Sequence, residues 1–181
     1  TTTIDTQTRI VEIVTGPVLM EREAWDYVDG EYIYYAIGAS RANKVTYTAE
    51  KIATITIVNT ATVPADAVDN WDVSYVNGSK QVMAWGKTNS QDASKYDLYI
   101  GANDGVVAPN DSSNMFERYV NCTSISGLEV LNISRVTDMS YMFANTSNLI
   151  ELDSDIENWD VSKVTNMKGM FYDCFSDFWL E

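Results

Sequence analysis

Ser134-Arg-Val-Thr-Asp-Met-Ser-Tyr-Met-Phe143 returns 28 residues later as Ser162-Lys-Val-Thr-Asn-Met-Lys-Gly-Met-Phe171. At the same offset Glu129 meets Glu157, Leu131 meets Trp159, Asn132 meets Asp160 and Ile133 meets Val161. A degenerate earlier copy begins at Asn114-Met115-Phe116, 27 residues before Met142-Phe143. Self-similarity at a period of about 20–50 residues is the mark of stacked repeats. Within each copy Met139, Met142, Phe143 and Thr146, and then Met167, Met170, Phe171 and Cys174, recur at i, i+3, i+4 and i+7. That spacing predicts one buried face of a two-turn helix. Thr137-Asp138 and Thr165-Asn166 supply N-cap chemistry directly before it. Leu128–Ile133 and Leu149–Leu152 carry strand-like leucines. A unit this small cannot bury its apolar face alone, so it stacks on its neighbours.

The register also places the two cysteines. Cys174 falls on the buried face of its copy, and Cys122 aligns at offset 27 with the core leucine Leu149. Both read as small buried hydrophobes. A disulfide is the weaker alternative, because it needs side chains from different layers to meet.

Upstream, residues 1–62 read as strands. Arg9–Val14 is a β-branched run stopped by Gly16-Pro17, and Glu31–Ile37 follows the hairpin dipeptide Asp29-Gly30. Lys44–Val58 alternates, with Val45, Tyr47, Ile52, Thr54 and Thr56 on one face against Ile55 and Ile57. Only Val18–Tyr27 has the composition of a short helix. After a connector at Ala61–Asp69, Trp71–Tyr75 and Gln81–Trp85 flank Asn77-Gly78, a second hairpin signal. Tyr96–Ile100 is a third strand in that region. The expected architecture is β-rich with short helices. A small β-domain spans 1–62, a hairpin module 63–111 and a repeat array 112–181.

Composition bounds the function. The 181 residues hold 26 acidic and 12 basic side chains and no histidine, for a net charge of −14. So negative a chain repels phosphate backbones and anionic lipid heads, which excludes nucleic acid and membrane surfaces as expected partners. Without histidine, Ser-His-Asp and Cys-His machinery is impossible. No segment approaches the roughly 20 apolar residues of a membrane span.

Asn158-Trp-Asp-Val-Ser-Lys-Val-Thr-Asn-Met-Lys-Gly-Met-Phe-Tyr-Asp-Cys174 closely resembles the repeat of the BspA-like leucine-rich-repeat surface proteins of bacteria and some phages. Val82-Met-Ala-Trp85 with Tyr96-Asp-Leu-Tyr-Ile-Gly101 resembles the β-hairpin module that often precedes the first repeat there. The resemblance covers about residues 66–175 and does not reach 1–60. It implies a leucine-rich-repeat-like α/β solenoid used in adhesion or surface recognition, with no chemistry to transfer. The link Glu151–Asn158 is longer than usual, and only two copies are clear. Phe175–Glu181 is expected to cap the array, or the sequence is a fragment of something longer.

Two clusters are candidate sites. Asp153, Asp155, Glu157 and Asp160 alternate as oxygen ligands for calcium do. A solvated acidic turn is the stronger reading, since the glycine and closing glutamate of an EF-hand loop are missing. Trp25, Tyr27, Tyr32, Tyr34 and Tyr35 crowd the N-terminal region, either as core and edge packing or as a subunit interface. Tyr32 and Tyr34 should share one strand face, with Ile33 and Tyr35 on the other. No catalytic or cofactor-binding residue is assigned, and calcium is the only cofactor considered.

The expected function is non-catalytic adhesion, recognition or display at an extracellular surface, toward a protein or glycan. Residues 1–62 would anchor the chain or make it a homo-oligomer or part of a larger assembly. Thr1-Thr2-Thr3-Ile4-Asp5 is no signal peptide; either one has been cleaved or the chain starts just after an initiator methionine. With no sorting signal at Glu181, this points to a phage virion component such as a head fibre, decoration or tail-associated protein. A bacterial BspA-like adhesin is the alternative, and a carbohydrate-active enzyme a third reading.

Overall fold

The computed structural model describes residues 16–22 and 25–174. The expected strand at Arg9–Val14 and the expected cap at Phe175–Glu181 lie outside them. Ten strands and three short 3-10 helices (Ala49–Lys51, Leu128–Val130, Ser154–Asn158) make up the regular structure of these residues, which is β-rich.

Strands β1 (Trp25–Val28) and β2 (Glu31–Tyr34) form a hairpin on Asp29-Gly30. Both turn residues have positive φ, as a two-residue type I′ turn requires. The main sheet has β3 (Ile52–Val58) near its centre. On one side β6 (Tyr96–Ala102) runs parallel to β3, and β5 (Val82–Thr88) and β4 (Asp69–Asp72) continue antiparallel. On the other side β8 (Ser124–Ser126) and β10 (Glu151–Leu152) add in parallel. A two-residue β7 (Val106–Val107) pairs in parallel with β9 (Leu131–Asn132). All three segments distinguished in the sequence therefore contribute strands to one sheet, and buried residues from Leu19 to Cys174 form one core cluster.

Alternation along β3 sends Ile55 and Ile57 into the core and leaves Thr54 and Thr56 half-buried. Ile52 does not follow Thr54 outward as its spacing predicts. A bulge at Ala53 shifts the register and buries Ile52 completely.

Among the described residues the expected helices are replaced by extended chain and turns. Val18 and Leu19 are extended, bridging Val107 and Ser74, and Met20 donates its amide to the Val73 carbonyl at 2.8 Å. The helix-favouring Leu-Met-Glu-Arg run is overridden by these pairings, and Trp25–Tyr27 is strand. In the repeats, the i, i+3, i+4 stripe belongs to stacked turns. Residues 111–118, 138–145 and 166–173 lie one above another in parallel. The amides of Ser112, Asn114, Phe116 and Arg118 donate to the carbonyls of Asp138, Ser140, Met142 and Ala144 at 2.7–3.1 Å. Those of Met139, Tyr141, Phe143 and Asn145 donate in turn to Asn166, Lys168, Met170 and Tyr172 at 2.7–2.9 Å. Intervening amides close local turns, as Met142 does to the Met139 carbonyl. A helix cannot run here because each copy carries two left-handed residues: Asn114 and Arg118, Tyr141 and Asn145, Gly169 and Asp173.

The side chains follow the backbone. Phe116, Phe143 and Phe171 stack with centroids 5.3 and 5.4 Å apart. Asp138 and Asn166, expected as N-caps, act as Asx turns: each accepts the amide two residues on, from Ser140 and Lys168. The Asn166 amide also donates to Asp138 at 2.8 Å, tying neighbouring copies. Both cysteines are free and buried, as the register predicts.

The first copy has no preceding copy to feed its carbonyls. Arg22 does so instead. Its guanidinium donates to the carbonyls of Asn114 (3.0 Å) and Glu117, and on its other side to Tyr35 (2.8 Å). It lies over the Tyr119 ring at 4.5 Å, and burial lowers its pKa. We expect Arg22→Ala to strand buried carbonyls at both the hairpin and the array, costing about 3 kcal/mol or more. Denaturant unfolding would show a lower midpoint with an unchanged slope.

Candidate binding site

Antiparallel register decides which aromatic side chains meet. Trp25 pairs with Tyr34 and Tyr27 with Tyr32, and paired residues project to the same face. The Tyr32 ring stands edge-on to Trp25 at 4.9 Å and tilted to Tyr27 at 4.8 Å. These three are 57–59% exposed, far more than contact with one another alone would leave to a core cluster. Tyr34, at the seated end, packs under the Arg118 guanidinium at 4.7 Å, and Ile33 packs on the core from the opposite face. Tyr35 is buried and holds Arg22 through its carbonyl. Of the five predicted interface residues, three are thus presented together, one is half-buried beside them, and one belongs to the core.

Beside Trp25 the surface is concave. A hollow of about 500 Å³ is lined by Trp25, Asp26, Tyr35 and the loop Ala39–Ala42. Its floor is apolar, from the buried Tyr35 and Ala39. Asp26 spends Oδ1 on the Tyr27 amide at 2.9 Å. Ser40 is held by Asn43, which accepts both its amide (2.8 Å) and its hydroxyl (3.1 Å). Arg41 is exposed and takes part in none of the ion pairs among the described residues. Sequence reasoning found Trp25 but not Asp26, Ser40 or Arg41. The run Gly38-Ala-Ser-Arg-Ala-Asn43 falls between the expected strands and carries no signal that it faces the hairpin.

The acidic candidates separate. Asp153 and Asp155 come together with Glu129, their carboxylate oxygens within 4.8 Å of one another, while Glu157 and Asp160 stand outside this trio. Glu129 arrives on the 3-10 helix Leu128–Val130, which packs against the 3-10 helix Ser154–Asn158. Asp153 is already occupied by backbone: Oδ1 accepts the Asp155 amide at 3.2 Å, and Oδ2 accepts Gly127 at 3.0 Å and Leu128 at 3.4 Å. The Asp155 amide first, then those of Gly127 and Leu128, hold its pKa below the usual 3.8. Gly127 itself is obligatory, with φ +77° and a Cβ position that would fall 2.0 Å from the Ile57 carbonyl oxygen. Asp160 accepts from Ser162 and is likewise lowered. Burial pushes the thiols of Cys122 and Cys174 up to about 12, so neither is a ready nucleophile.

Residues 110–178 match the family model described as "Mycoplasma protein of unknown function, DUF285". That stretch contains the three stacked copies and is consistent with their BspA-like resemblance. No curated protein and no solved structure matches the chain. No helix among the described residues is long and apolar enough to cross a membrane.

Two outcomes follow from the acids. Asp138 and Asp153 are lowered in the fold, so the unfolded chain protonates first, and stability falls as pH drops from about 4 through their folded values. Unfolding midpoints at pH 7, 4 and 3 check this. Asp153→Ala should cost about 1 kcal/mol from lost amide contacts, with thermal midpoints of both proteins unmoved by calcium or by EDTA. A wild-type midpoint that rises with calcium, and a variant midpoint that does not, would make the trio a cation site.

Proposed function

We propose that this protein is a non-catalytic recognition protein displayed at a surface, with Trp25, Tyr27 and Tyr32 as its contact face. The observation that carries this reading is the exposure of three mutually packed aromatic rings on a hairpin whose other side is pinned to the core. Rigid exposed aromatic clusters supply large contact area at small entropic cost, and tryptophan and tyrosine are enriched in interfaces. The parallel ladder at 27–28 residues supports the reading of 112–181 as a short leucine-rich-repeat-like solenoid. In that reading the array is a rigid support, and the hairpin at its first copy is the part that meets a partner.

The acids of this chain are set for structure. Asp138, Asp153 and Asp160 are engaged by backbone amides or by side chains that favour the ionised form, the reverse of what a general acid needs. With no histidine in the sequence and both thiols raised, the described side chains favour binding over turnover.

An antibody against the purified chain should label the outside of the particle or cell that carries it, and the label distinguishes a virion from a bacterial envelope. Replacing Trp25, Tyr27 and Tyr32 together by serine should reduce retention on a panel of whole bacterial and epithelial cells at least tenfold. The midpoint of unfolding should change little, as exposed substitutions shift stability by about 0.5 kcal/mol each. Undiminished retention would remove the hairpin from the recognition surface.

A further inference from the structure

We infer that Asn77 is a site of spontaneous modification. The Gly78 nitrogen closes on the Asn77 side chain to a succinimide, and water reopens the ring as aspartate or isoaspartate. This goes beyond the recognition reading and stands without it. The reaction needs an asparagine, a following residue with no Cβ to crowd the attacking nitrogen, and room for the backbone to turn. Asn77-Gly78 is the one Asn-Gly pair in the sequence. It sits in the connection between β4 and β5, which is fastened at its base and open at its tip. At the base, Val73 donates its amide to the Val82 carbonyl at 3.0 Å, and Asp72 accepts the Ser74 hydroxyl at 2.6 Å and the Lys80 amide at 3.1 Å. Residues 75–81 are all exposed. Gly78 has φ +82°, and nothing lies within 4 Å of the position a Cβ would take.

The surroundings separate Asn77 from the other candidates. Asn89, Asn132 and Asn166 each accept the amide two residues on, from Gln91, Ser134 and Lys168, which fixes their carboxamides in place. The Asn77 carboxamide takes part in no hydrogen bond among the described residues. Asp29-Gly30 and Asp104-Gly105 share the glycine but not the electrophile, because an ionised carboxylate resists attack. Gly105 is also packed, its Cβ position lying 3.2 Å from the Val130 carbonyl oxygen.

Water is the sole co-reactant, and no oxidation state changes. The Gly78 amide gives its proton to hydroxide, its nitrogen bonds to Asn77 Cγ, and the Cγ–Nδ2 bond breaks as ammonia leaves with a solvent proton. Water then cleaves the ring at one of its two carbonyls. Opening at Cγ leaves aspartate. Opening at the backbone carbonyl leaves isoaspartate, whose main chain runs through the former side chain and is one methylene longer. Either product adds a negative charge to a loop already held by the Asp72 carboxylate, in a chain of net charge −14.

The full chain is held at 37 °C at pH 7 and pH 9, then digested. Its peptides are weighed and tested as substrates of isoaspartyl methyltransferase. Conversion should concentrate on the peptide carrying Asn77, run at least tenfold faster at pH 9, and yield isoaspartate along with aspartate. Gly78→Ala and Asn77→Gln should each slow conversion at position 77 at least tenfold, the first by crowding the nitrogen and the second by enlarging the ring. Circular dichroism confirms that the variants are folded; Asn77→Gln carries the test if Gly78→Ala is not, since its φ is strained for alanine. The proposal is overturned if the Asn77 peptide stays unchanged at pH 9, if another asparagine converts first, if aspartate forms with no isoaspartate, or if both variants convert as the parent does.

Discussion

A stack of repeats has a first member, and the backbone of that member faces a problem that later members do not. Each copy here receives amide donors from the copy before it, and the first copy has none, so its carbonyls at Met115 and Glu117 lack the donor that Met142 and Ala144 receive. Arg22 resolves this with one side chain. Its fork reaches Asn114 and Glu117 on the array and Tyr35 at the foot of the hairpin, so it joins the two parts with hydrogen bonds that each needs. An arginine suits the task because it keeps its charge when buried and presents several donors in one plane. Among the described residues no carboxylate lies at ion-pair distance from it, and carbonyl dipoles with the Tyr119 ring take that place.

The same continuity holds at the other edge of the copies. Ile125 of β8 and Leu152 of β10 stand 27 residues apart and pair in sequence onto Ile55 of β3. Strand β3 thus serves as the rung before the first rung, although its own sequence shares nothing with the repeat. The hairpin is placed by these contacts as well, through Ile33 on the core and Tyr34 under Arg118. Its aromatic face is therefore carried on a hairpin tied to the array by these contacts, and a contact surface held in place loses less on ordering.

Local signals and the period were readable. Asp29-Gly30 and Asn77-Gly78 lie between paired strands, Tyr32 and Tyr34 share a face, and the cysteines are buried because the repeat aligns them with core positions. The helices were misread for a physical reason. A spiral of turns that buries its first, fourth and fifth residues has the same apolar spacing as a helix. What separates them is the left-handed backbone at Tyr141 or Arg118, which neither residue type announces. Arg22, between two glutamates, resembles any solvated charge, and its acceptors are backbone atoms 13 residues away at Tyr35 and more than 90 residues away at Asn114 and Glu117. Arg41 and Asp26 were invisible for a similar reason, since only the tertiary fold brings the loop against the hairpin.

The ladder has a direction. Every copy offers amides toward the next and carbonyls toward the previous one, so its two ends differ in kind, as the ends of a magnet do. Like ends do not match, and unlike ends would join molecule to molecule without closing, the geometry that produces filaments. Arg22 takes places at the carbonyl end with its own donors, so an amide edge arriving there would meet acceptors at Asn114 and Glu117 already engaged. The residue that completes the first copy also occupies the end onto which a second ladder would have to add.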